Sequence, residues 1–189
     1  GICTDSSVLM RNTSINNNSS RNGGGLYIGN TATVHMWMGS YINNNYAYNN
    51  GGGVYISEKA NFLLTDNNIY QNNCAKNGMG VYVRGKFQMF SIASVDESNE
   101  VYLTRQTYIS IIDRLLKPSG YVAVIRTTLT DPGTIIAQVE YSTDAQKELY
   151  YIGDAVAELN NQNCVKKFLV RNNKWEQNFA NLRNLLKLM

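Results

Sequence analysis

The chain has 189 residues, 16% of them charged, with a formal net charge of +3, two prolines, three cysteines and one histidine. The charged fraction lies below the roughly 25% of an average globular protein. Residues 1–100 hold six basic and six acidic side chains and residues 101–189 hold eleven and eight, so no concentrated Lys/Arg face marks a nucleic-acid footprint. Cys3, Cys74 and Cys164 form no C-x-x-C pair and only His35 could join them, so a four-ligand structural zinc site is not expected.

An odd cysteine count argues against a disulfide framework, although a single bridge stays open. No run approaches about 18 uninterrupted apolar residues, so no transmembrane helix is expected. The chain opens at Gly1 and enters a repeat within a few residues. That start is expected of a mature product or an excised piece of a longer repeat protein.

The repeat is carried by Gly23-Gly24-Gly25-Leu26-Tyr27-Ile28, Gly51-Gly52-Gly53-Val54-Tyr55-Ile56 and Gly78-Met79-Gly80-Val81-Tyr82-Val83, spaced 28 and 27 residues apart, with a trimmed copy at Asn99-Glu100-Val101-Tyr102-Leu103. A fixed period of this size is the mark of a repeat architecture. Upstream of each copy lies a short alternating run: Val8-x-Met10, Val34-x-Met36-x-Met38, Phe62-x-Leu64 and Phe87-x-Met89. Between run and copy sit Ile15, Ile42, Ile69 and Val95, followed three residues on by Asn18, Asn45 and Asn72, then Ser98. Two residues further come Ser20, Ala47 and Cys74. Cys74 is therefore expected buried and reduced, in one register with Ala47.

Alternation with period two sends one set of side chains inward and the next outward. Each piece is too short to bury anything alone, and no helical period runs through it. Stacking each copy on its predecessor solves this, with equivalent strands paired in parallel roughly 4.8 Å apart. The predicted fold is all-β: a right-handed parallel β-helix, or solenoid, over residues 1–103 in about four rungs. Asn18, Asn45 and Asn72 are predicted to form a structural ladder of amide hydrogen bonds at a buried corner.

Beyond 103 the period fades. Residues 108–112, 121–125, 134–139 and 167–170 read as strands, and Lys117-Pro118-Ser119-Gly120 and Asp131-Pro132-Gly133 as turns. Residues 144–149 and 155–159 are candidate helical turns. Phe179, Leu182, Leu185, Leu186 and Met189 stand at helical spacing, so residues 176–189 are a candidate amphipathic capping helix. Residues 104–189 are read as degenerate rungs plus a cap, or as a small β-rich unit.

The copies resemble two groups of bacterial surface proteins. One is the β-helix repeat of polymorphic outer-membrane proteins. The closer is the Gly-Gly-Gly-Val-Tyr-Val repeat of surface proteins and lipoproteins of spirochaetes and gut Firmicutes. This chain carries that pattern as Asn45-Tyr46-Ala47 with Gly51 to Ile56, then Phe87-Gln88-Met89 and Asn99-Glu100-Val101-Tyr102-Leu103. Ile109-Ser110-Ile111, Gly133-Thr134 and Phe168-Leu169-Val170 before Trp175 are similar to that family's trailing segment. The resemblance implies an extracellular or cell-surface location and an adhesin-like role more than a reaction.

Tyr27, Tyr55, Tyr82 and Tyr102 hold one position in four rungs and are expected to form an outward ladder. Such a ladder is a candidate strip for binding glycan or host protein, or for self-association. Trp37, with His35 and Tyr41, is placed on or near another outward face. The enzymatic alternative is a carbohydrate-cleaving β-helix, which needs two carboxyls roughly 6.5–9.5 Å apart. Its candidates are Asp66, Asp96, Glu97 and Glu100, without the Arg/Lys cluster that a polyuronate would require. Asp96, Glu97, Asn99 and Glu100 are also a weak calcium candidate. Asn12, Asn17 and Asn18 match the glycosylation acceptor pattern, and the basic C-terminal stretch reads as a solvated cap. The sequence leans against catalysis, with no catalytic residue, cofactor or metal expected. It leaves self-assembly into a filament or sheath as a third role.

Overall fold

The structure is a computed structural model. It describes residues 1–66, 68–69, 73–96, 98–115, 123–127, 135–140, 147–151, 156–160 and 163–168. The candidate capping helix over 176–189 lies outside the described residues, as do Asn72 and Glu97.

The first rung consists of β1 (Ile2–Thr4), β2 (Val8–Arg11), β3 (Ser14–Asn16) and β4 (Ser19–Asn22). The second repeats it as β5 (Leu26–Ile28), β6 (Thr33–Trp37), β7 (Tyr41–Asn43) and β8 (Tyr46–Asn50). The third holds β9 (Val54–Ile56), β10 (Asn61–Thr65) and β11 (Asn68–Ile69). The fourth holds β12 (Val81–Val83), β13 (Lys86–Ser91) and β14 (Ser94–Val95). Every equivalent pair is parallel: β5 with β9, β6 with β10, β7 with β11. The result is a parallel β-solenoid of about four turns, with four sheets running along its axis.

Alternation builds the core. Leu26, Val54, Val81 and Val101 stack inward on one sheet, and Val34, Phe62, Phe87 and Ile109 on the next. Ile15, Ile42, Ile69 and Val95 form the third row. All twelve are buried, and the Phe62 and Phe87 rings stack 5.7 Å apart. Each such side chain contributes about 1.5–3 kcal/mol of hydrophobic stabilisation, so the rows hold the rungs together along the axis.

Corners recur in register as well. Asn12, Met38, Asp66 and Ser91 turn the chain out of the second sheet with φ of 49°, 46°, 54° and 60°. Gly23, Gly51 and Gly78 turn it into the first sheet with φ of 63°, 69° and 63°. Left-handed backbone is easiest for glycine and next for Asn and Asp, which accounts for most of this composition. The glycine after the first two of these turns, Gly24 and Gly52, is needed for space, whereas Met79 takes that place after Gly78. A Cβ on Gly52 would lie 2.6 Å from the carbonyl oxygens of Cys74 and Met79 in the next rung.

Parallel pairing continues past residue 103. β15 (Glu100–Leu103) pairs with β12 and with β17 (Ala123–Thr127), and β16 (Ile109–Leu115) pairs with β13 and with β18 (Ile135–Glu140). Direction then reverses. β19 (Lys147–Tyr151) lies antiparallel to β18, β21 (Asn163–Phe168) antiparallel to β17, and β20 (Val156–Asn160) antiparallel to β21. The helical turns expected near 144–149 and 155–159 are thus corrected to strand at 147–151 and 156–160. Pairing against a waiting sheet edge outweighs a weak local preference. No helix among the described residues is long and apolar enough to cross a membrane.

Candidate functional site

The four predicted tyrosines come together on the outer face of the first sheet. Tyr27 pairs with Tyr55, Tyr55 with Tyr82 and Tyr82 with Tyr102. Ring centroids are 5.0, 5.3 and 5.2 Å apart, and successive planes are tilted by only 3°, 11° and 14°. Tyr55 is 8% exposed and the other three are half-buried. The inner rings therefore spend both faces on each other. What this ladder offers outward is ring edges and a row of phenol groups, not an open platform for a sugar ring.

Charge flanks the middle of the ladder. The Arg84 guanidinium hydrogen-bonds Tyr55 and lies 3.6 Å from the Glu58 carboxylate in an exposed pair. Burial pushes the Tyr82 phenol above its ordinary value, reinforced by Tyr102 and Tyr55. Cys3 precedes Tyr27 in register and Arg126 follows Tyr102.

Trp37 stands apart, on the outer face of the second sheet. Arg11 covers it, with the guanidinium carbon 5.4 Å from the ring centroid. His35 stacks beside it at 6.0 Å and contacts Thr65 Oγ1 through Nε2 at 3.1 Å. The Trp37 Nε1 is buried without a hydrogen-bond partner. The structure does not join Trp37 to the tyrosine ladder.

The amide ladder is real, but its members differ at the third rung. Asn45 is 1% exposed and uses every polar atom it has. Its Nδ2 donates to the carbonyls of Ile15 (2.9 Å) and Asn43 (2.8 Å). Its Oδ1 accepts from the backbone N–H and the Nδ2 of Asn18, each at 3.0 Å. Its own N–H donates to Asn73 Oδ1 at 3.0 Å, and the Asn73 N–H donates to Asn99 Oδ1 at 3.1 Å. The ladder thus runs Asn18, Asn45, Asn73, Asn99.

The shift to Asn73 has a physical cause. Ile15 and Ile42 stand three residues before their ladder asparagines, whereas Ile69 and Val95 stand four before theirs. One added corner residue moves the residues just after it by one place until the pairing of Asn50 with Asn77 restores the register, and a one-residue slip turns each side chain to the opposite face. Cys74 consequently pairs with Tyr46 rather than Ala47 and is an exposed free thiol. The expected burial of Cys74 is corrected on this ground.

The slip also shows which aromatic rings are open. Ala47 is buried, so its neighbours Tyr46 and Tyr48 point outward, 43% and 66% exposed, edge to face at 5.0 Å. Ser19 and Cys74 flank Tyr46 in register, and Arg21 and Lys76 are exposed on the same side. The signal was present as a small residue between two tyrosines. A second amide ladder also went unread: Asn50 Nδ2 donates to Asn22 Oδ1 (3.3 Å), and Asn77 Nδ2 to Asn50 Oδ1 (2.9 Å).

The candidate acids among the described residues are not brought together: Asp66 and Asp96 sit in turns and Glu100 on β15. Asp66 occupies the left-handed turn after the second sheet. Asp96 Oδ1 accepts the Ser98 N–H (2.9 Å) and hydroxyl (2.6 Å) within its own turn. Glu100 is 4% exposed, its Oε1 accepting the Gly78 N–H at 3.0 Å and its Oε2 pairing with Arg126 at 2.7 Å. Burial holds its carboxyl above the ordinary range, against the pull of Arg126 and the N–H groups of Gly78 and Met79. No cluster of three His, Cys, Asp or Glu side chains fit to hold a metal occurs among the described residues.

Fold and outer surface together define a repeat solenoid built on amide, aromatic and aliphatic ladders. No family model, curated protein or solved structure matches the chain.

Proposed function

We propose that this is a non-catalytic repeat protein of a bacterial surface or secreted layer, which engages glycan or protein through its outward tyrosines. The supporting observation is how the aromatic and acidic side chains are divided. The aromatic residues are displayed outward in register, whereas Asp66, Asp96 and Glu100 are placed in turns or a buried ion pair. Tyr46 and Tyr48 supply open ring surface for stacking, and the ladder of Tyr27, Tyr55, Tyr82 and Tyr102 supplies edges and phenols for hydrogen bonding. The cell-surface assignment rests on the resemblance of the repeats alone.

A panel of polysaccharides and glycoproteins, read for binding and for depolymerisation at once, tests this reading. Binding weakened by Tyr48→Ala or Tyr82→Ala, with no product formed, is the expected result. Product formation abolished by Asp66→Asn overturns it in favour of an enzyme. Silence in both channels, joined to concentration-dependent assembly, overturns it in favour of a filament or sheath subunit.

A further inference from the structure

Three Asn-Gly dipeptides occupy one corner of the coil: Asn22-Gly23, Asn50-Gly51 and Asn77-Gly78. Asn-Gly is chemically labile because glycine leaves the backbone nitrogen unhindered next to the asparagine amide. In deamidation that nitrogen loses its proton and bonds to Cγ, the Cγ–Nδ2 bond breaks, and Nδ2 leaves as ammonia with the proton. Water then opens the succinimide to aspartate or isoaspartate. The reaction needs a free glycine N–H and a side-chain amide able to swing onto it.

The fold withholds both. The Gly23 N–H donates to the Asn50 carbonyl and the Gly51 N–H to the Asn77 carbonyl, each at 3.0 Å. The amides themselves are tied into the ladder from Asn77 through Asn50 to Asn22. The third site is closed differently. The next rung is short, 20 residues from Tyr82 to Tyr102, and brings no further Asn-Gly corner. The Gly78 N–H goes instead to Glu100 Oε1 at 3.0 Å, and Glu100 is steadied by Arg126 at 2.7 Å.

We propose that Asn77 is the chain's deamidation site, and that the Glu100 carboxylate, steadied by Arg126, is the latch that keeps it closed. A backbone carbonyl moves only with its whole rung, whereas a side-chain acceptor can leave alone. Opening at Gly78 therefore requires less of the molecule to move than opening at Gly23 or Gly51, and local openings of small extent are the most populated. The product matters structurally. An acid at 77 has no amide hydrogen to give Asn50 Oδ1, so conversion opens the second amide ladder from its C-terminal end. Isoaspartate also adds a carbon to the backbone immediately before the left-handed Gly78 turn.

The test is peptide mapping by mass spectrometry of the intact folded chain, incubated in mildly alkaline buffer, with the denatured chain alongside. In the folded protein Asn22 and Asn50 keep their amides and Asn77 converts slowly. Glu100→Ala accelerates conversion at Asn77 by roughly tenfold or more, because the rate follows the open population, and leaves Asn22 and Asn50 unchanged. Glu100→Gln, which retains an acceptor oxygen, stays close to the parent. If Glu100→Ala accelerates all three sites together, the rung has unfolded. Arg126→Gln must then accelerate Asn77 alone, and its failure to do so overturns the proposal. Folded-state conversion as fast as in the denatured chain, or Asn77 no faster than Asn22 in Glu100→Ala, also overturns it.

Discussion

Asn45 shows how much one side chain does in this fold. It satisfies two carbonyls and two donors at a corner that water does not reach. Asn45→Ala leaves these groups unpaired, and each buried polar group stripped of its partner costs about 1–3 kcal/mol. We expect a loss of about 2–4 kcal/mol in chemical denaturation, well above that of exposed Asn44→Ala. Glu100 gives a pH signature. Its carboxyl is raised in the folded state mainly by burial. A raised acid contributes stability below its unfolded value that is lost as pH rises through the folded value. From the ordinary glutamate value of 4.5 upward, the parent protein should therefore lose stability relative to Glu100→Gln, as read by thermal melts across pH. The opposite slope would show that Arg126 dominates burial at this site.

Among the elements, strands were legible where a period of two met a period of rungs. The rows led by Leu26, Val34 and Ile15 were readable because each inward residue recurs at the same place in the next copy. The third corner was not, because Asn72 and Asn73 are chemically identical and only the backbone path chooses between them. That single choice decided the surroundings of Cys74. Cys3 and Cys74 are both exposed, so a thiol reagent should label both in the native chain as fast as in a small-molecule thiol control. Protection of Cys74 until unfolding would restore the register that places it beside Ala47. The site was legible to the same degree. Equivalent tyrosines in four copies announced a ladder, but a linear pattern carries no measure of ring tilt. It was the tilt of 14° or less that closed the inner faces. The strand at 147–151 was hidden because its partner β18 is a sheet edge that only the assembled coil creates, and the strand at 156–160 because it pairs with β21, which itself docks on β17 of that coil.

On the scale of the whole molecule, every sheet runs along one axis and the strands lie across it. Hydrogen bonds, tyrosine stacks and amide ladders consequently all point along that axis. Pulling on the chain ends loads these contacts in series, so a rung peels from the end while its neighbours stay intact. This is the opposite of strands pulled lengthwise, where many bonds share the load and break at once. Each peeled rung of about 27 residues frees roughly 90 Å of chain, and single-molecule extension should show steps of that order. Under tension the coil acts as a reserve of slack, lengthening by one rung at a time while the rest of the stack keeps its grip.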